Sequence, residues 1–161
     1  DILNKRFKVS GNEKCPKEWN FNNLSTESLT YLRNLPHTIT AKHNNHSVLI
    51  CHGSPSSITE YLREDSIEAD VAMASIAHDV LICGHTHLPY YKKYGPKVLI
   101  NSGSVGKPKN GTPHATYVDV IFGETISVNI VEVEYSFHKT VENILQHDLP
   151  DKNTLALIQG A

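Results

Sequence analysis

The chain has 161 residues, 39% of them hydrophobic and 20% charged, with a net charge of −2; this suits one soluble domain with its own core and argues against a general nucleic-acid or membrane-surface binder. No apolar run approaches the length of a membrane span, and the opening DILNKRFKVS has no apolar heart of a secretory signal. Three cysteines, Cys15, Cys51 and Cys83, without C-x-x-C spacing fit a reducing, cytoplasmic setting, while histidine, at ten, is the unusual entry.

In chain order, the polar first twenty-odd residues, with Gly11, Pro16 and NFNN at 20–23, read as a loop. A helix follows from Ser25, a capping residue, with Leu29, Leu32 and Leu35 along one side and Pro36 as its stop. Two β-like runs, residues 38–42 and 47–51, join through HNN at 43–45 as a hairpin. A second helix is expected over 66–77, with Ile67, Val71 and Ala74 as its inward stripe. The strand DVLIC then leads into GHTH, a polar YYKKYGPK stretch follows Pro89, and KVLI forms the next strand before NSGSVGKPKNG. Residues 116–122 and 125–134 alternate about Gly123-Glu124 as a hairpin, and 137–146 read as a helix. No repeat or linker appears, so residues 1–161 read as a single domain.

Three apolar strands end in polar, glycine-containing turns: SVLICHGSP, DVLICGHTH and KVLINSGSVG. Ligands of open α/β sheets gather outside the carboxyl ends of such strands. Neutral imidazole is a good ligand for first-row metals, so His52, His85 and His87 are the candidate ligands, converging on a metal centre. If the strand continues through GHTH, His85 and His87 project from one face with backbones about 7 Å apart. The NSGSVG loop offers backbone N–H groups to an anionic oxygen. Cys51 and Cys83 read as small core residues, and the remaining seven histidines as solvated surface.

HGSP, GHTH and N-x-GSVG, in that order and each after an apolar strand, resemble the calcineurin-like metallophosphoesterases, in particular the small bacterial and archaeal phosphodiesterase branch. The resemblance spans roughly Leu24 to Val133. It implies part of a four-layer α/β/β/α sandwich and two divalent metal ions, such as Mn, Zn or Fe. It also implies a phosphoester or nucleotide substrate hydrolysed by a metal-activated water. His52 and His85 would share one metal and His87 would serve the other. Gly53, Gly84, Asn101, Gly103 and Ser104 would form the substrate-facing rim.

The family's earlier motifs, Asp-x-His, Gly-Asp-x-x-Asp and Gly-Asn-His-Asp, do not occur here in order. Asp1 reads as the last residue of a truncated Gly-Asn-His-Asp, which makes this chain a C-terminal portion lacking the first strands and the bridging carboxylates. Two nearby cations repel strongly without such carboxylates, so the isolated chain is expected to be a weak or inactive hydrolase. Two rival readings stand beside this one. One is a non-catalytic scaffold of the same fold, as in a retromer subunit. The other is a mononuclear zinc protein using His85, His87 and either His52 or Cys83. Substrate and oligomeric state are not legible.

Overall fold

The computed structural model describes residues 15–147, 149 and 151–160, so the readings of the opening segment and of Asp1 lie outside the described residues. The chain divides into two compact units, one from Asp1–Pro36 and Ser136–Ile158, the other from His37–Tyr135 and Gln159–Ala161.

In the first unit, α1 (Pro16–Asn23) replaces the expected loop. Its sequence, PKEWNFNN, shows no apolar stripe, and the helix buries none of its residues; Pro16 in the first turn and Glu18 near the positive end are the local signals. α2 (Thr26–Arg33) starts where expected, because the Ser25 side chain accepts a hydrogen bond from Ser28 N at 3.0 Å. α4 (His138–Gln146) matches its expected bounds within a residue, and α5 (Asp151–Gln159) was not anticipated. Trp19 and His147 meet with ring centroids 4.9 Å apart.

The second unit carries the candidate site. β1 (Thr38–His43) and β2 (His46–Cys51) form the expected antiparallel hairpin, with Asn44 in the left-handed conformation that asparagine tolerates, φ 52°. After α3 (Ile67–Ser75) come β3 (Val80–Cys83), β4 (Pro89–Tyr94) and β5 (Lys97–Ser102). They make one sheet in the order β1-β2-β3-β5-β4, in which β2, β3 and β5 are parallel. β6 (Ala115–Phe122) and β7 (Ile126–Val133) form a second, two-stranded sheet.

Each parallel strand carries an unbroken apolar run, Val48–Cys51, Val80–Cys83 and Val98–Ile100, because both of its faces are covered. On one side Leu49, Leu81 and Leu99 pack against Ala69, Ala72 and Met73 of α3. On the other, Val48, Val80, Val98 and Ile100 pack against Ile126 of the second sheet, with Val118, Val120 and Val128 around it. This unit is therefore helix, sheet and sheet, a mixed α/β architecture.

One expectation is overturned in this unit's helix. The inward face of α3 is Ala69, Ala72 and Met73, whereas Ile67 and Val71 are 77% and 62% exposed. The helix is apolar nearly all round, so periodicity alone could not select a face; small alanines let it approach the sheet closely. Most of the polar YYKKYGPK stretch, to which the sequence reading gave no element, is β4, an edge strand paired antiparallel to β5 from Pro89↔Ser102 to Tyr94↔Lys97. Its lysines sit on an edge, where charge discourages pairing with other chains.

Candidate metal centre

The register sets Ile50, Ile82 and Ile100 level with one another, so β2, β3 and β5 finish on the same edge of the sheet. Their following turns are tied together. Gly84 N donates to the His52 carbonyl at 2.9 Å. Asn101, fully buried at 0% exposure, donates from Nδ2 to the Gly84 carbonyl at 2.7 Å and accepts from Gly103 N at 3.0 Å. Thr116 Oγ1 donates to the Ser102 carbonyl at 2.9 Å and accepts from Ser104 N at 2.9 Å. A Cβ on Gly103, whose φ is 77°, would collide with that Thr116 hydroxyl. Thr116 had no role in the sequence reading, since a buried threonine at a strand start carries no local signature.

The extended path expected for GHTH does not occur. β3 stops at Cys83, and both His85 and His87 adopt left-handed backbone, φ 62° and 61°. Each such non-glycine residue costs about 1 kcal/mol, a strain characteristic of functional turns. Thr86 between them is buried, its Oγ1 accepting from Leu88 N at 3.1 Å. The two histidines are left to line an open cleft of about 270 Å³ with His52, Gly84, Gly103, Ser104 and Thr116.

Within the cleft, His52 Nε2 and His85 Nδ1 are 3.1 Å apart. Two imidazole nitrogens on one cation, each about 2.1 Å from it, stand roughly 3.0–3.4 Å apart. The pair therefore has the spacing of neighbouring ligands of one metal. His87 Nδ1 lies 2.6 Å from the Lys107 carbonyl, which only accepts, so Nδ1 carries the proton and Nε2 keeps the lone pair. Burial, then the neighbouring His85 and His87, hold His52 below the ordinary histidine pKa. Burial likewise lowers His87, with Lys109, Lys107 and His85 adding to the effect against the Lys107 carbonyl. Both histidines are thus kept neutral, the form that ligates metal.

Among the described residues, no three His, Cys, Asp or Glu side chains converge as a metal site. His52 and His85 are the pair in direct contact, and His87 lines the same cleft. Cys83, the cysteine of the mononuclear reading, is buried in the core, its thiol pushed up to about 12 by burial. Among the described residues no carboxylate lines the cleft. Of the five expected rim residues, Gly84, Gly103 and Ser104 line it. Asn101 instead supports the turns from beneath, and Gly53 is buried against the carbonyls of Ser57 and Glu60. Among the described residues no helix is long and apolar enough to cross a membrane.

Residues 5–122 match the profile of the calcineurin-like phosphoesterase superfamily domain. The uncharacterized protein MJ0912 of Methanocaldococcus jannaschii is 32% identical over 151 residues, 83% of this chain and 60% of that protein. The chain thus spans less than two thirds of that relative's length. The fold is similar to that of a metallophosphoesterase from Sphaerobacter thermophilus, with a TM-score of 0.80 and 23% identity over 99% of this chain and 73% of the other. It is also similar to the hypothetical protein PH1004 from Pyrococcus horikoshii OT3, with a TM-score of 0.79 and 23% identity over 90% of this chain and 59% of the other.

Proposed function

This chain belongs to the calcineurin-like phosphoesterase superfamily, and from that premise we propose that it carries the histidine side of a metal-dependent phosphoester hydrolase site. The observation that carries the reading is the 3.1 Å approach of His52 Nε2 to His85 Nδ1 at the carboxyl ends of parallel strands. His52 and His85 hold one divalent cation, and His87, oriented by the Lys107 carbonyl, serves a second. When bound, such cations lower the pKa of water and neutralise charge on phosphoryl oxygens. The chain's own contribution is to present neutral imidazoles from rigid strand ends and to shape a cleft with Gly84, Gly103 and Ser104. Among the described residues no carboxylate lines that cleft, and a pair of cations there needs carboxylate ligands from elsewhere to offset their charge.

The test is calorimetric titration with Mn²⁺ and Zn²⁺ on the parent, His52→Ala and His85→Ala, alongside hydrolysis of bis(p-nitrophenyl) phosphate. Binding that both substitutions weaken at least tenfold supports the reading, since a ligand lost from a site costs more than 1.4 kcal/mol. Binding indifferent to both refutes it. The missing carboxylate favours a second reading, a non-catalytic scaffold that binds a protein partner; a protein that retains no metal after dialysis and no hydrolysis fits that instead.

A further inference from the structure

One candidate ligand is held from outside the cleft. Tyr61 stacks on His85 with ring centroids 4.2 Å apart and planes 23° from parallel. His52 meets the same ring edge-on at 4.9 Å. Tyr61 is not part of the cleft wall, and the Arg63 guanidinium carbon lies 5.6 Å from the centre of its ring.

The chain is bent to deliver Tyr61 there. A Cβ on Gly53 would stand 2.5 Å from the Ser57 carbonyl oxygen and 2.8 Å from that of Glu60. Only glycine lets the 54–60 segment fold back this tightly. Ser54 closes the turn, its N donating to the Ser57 carbonyl at 2.8 Å while its hydroxyl accepts from Ser57 N at 3.0 Å. Beyond Tyr61, Leu62 is sunk in the core and its carbonyl accepts from the Tyr90 hydroxyl at 2.6 Å. Tyr61 thus sits between two anchored points.

His85 needs this support more than His87 does. His87 is oriented by a backbone carbonyl, whereas among the described residues the ring nitrogens of His85 hydrogen-bond only to His52. If both of those nitrogens turn their lone pairs to one cation, neither donates to the other, and that hydrogen bond no longer fixes the ring. The Tyr61 stack remains. We infer that Tyr61 is a positioning residue for His85, fixing its ring in ligating orientation on a strained backbone; this rests on His52 and His85 being ligands. An aromatic pair of this geometry is worth a factor of about 3–10 in an equilibrium.

The experiment uses the full chain with Tyr61→Phe, Tyr61→Leu and His85→Ala, titrated with Co²⁺ and followed by visible absorption. Histidine ring proton shifts in the metal-free proteins are recorded in parallel. Tyr61 is 44% exposed, so leucine there retains apolar cover without threatening the fold. Tyr61→Phe keeps Co²⁺ affinity within about twofold and leaves the His85 ring signal in place. Tyr61→Leu weakens Co²⁺ by about 3–10-fold and moves that signal out of the tyrosine ring current. Unchanged affinity in Tyr61→Leu overturns the inference alone, as does a loss in Tyr61→Phe equal to that in Tyr61→Leu. A parent protein without a His85-dependent Co²⁺ signal overturns the ligand assignment, and this inference with it.

Discussion

Asn101→Ala tests whether the strand-end turns are held together by one buried side chain. The amide donates to the Gly84 carbonyl at 2.7 Å and, at 3.5 Å, to Cys83 Sγ, accepts from Gly103 N at 3.0 Å, and is wholly inaccessible to solvent. Truncation leaves a carbonyl and an N–H without partners, each costing about 1–3 kcal/mol, and adds a small cavity. The expected destabilisation is about 2–5 kcal/mol, a large share of a total of about 5–15 kcal/mol. It is read from urea unfolding monitored by circular dichroism and by fluorescence of the second unit's tyrosines, with an unchanged m-value as the check that the native fold persists. Asn101→Asp separates the two bonds: it keeps an acceptor for Gly103 N but sets oxygen against the Gly84 carbonyl, so it is also destabilised. A loss below about 1 kcal/mol for Asn101→Ala would mean that the turns carry their own geometry and that Asn101 is only filler.

Acid stability follows from the shifted groups. Folding lowers the pKa of His52 and His87, so their neutral forms favour the native state; that contribution is complete above about 6.5 and is lost as pH falls through the lowered values. Urea midpoints of metal-free protein should therefore decline below about pH 6.5, and His52→Asn should flatten the decline. Asp79 is also lowered, first by the Ser47 backbone N–H and then by the Ser47 hydroxyl, both at 2.7 Å. Its contribution is present above 3.8 and disappears below it, and Asp79→Asn should remove that lower phase from the midpoint-versus-pH curve. Cys51 and Cys83 have thiols pushed up by burial to about 11 and about 12, so both should resist alkylation at pH 7.5 in native protein and react fully in urea. Rapid native labelling of Cys83 would show that the β3 end opens far more readily than its packing implies.

The strands were legible because Val48–Cys51, Val80–Cys83 and Val98–Ile100 are unbroken apolar runs, which leaves burial on both faces as their stable outcome. Ser25 set a helix start, and the order HGSP, GHTH, N-x-GSVG marked both the family and the edge where His52, His85 and His87 gather. Those are local signals, written in neighbouring residues. What tertiary structure decided depends on partners far apart in the chain. The face buried by α3 came from the sheet it meets, and β4 from its pairing with β5, since neither PYYKKY nor IEADVAMAS prefers one outcome strongly by itself. The left-handed backbone at His85 and His87 is intrinsically unfavourable and persists because the surrounding contacts impose it. The pairing of His52 with His85 arises from turns tied together by Gly84 N, Asn101 and Thr116, whose hydrogen bonds link segments that sequence spacing does not connect.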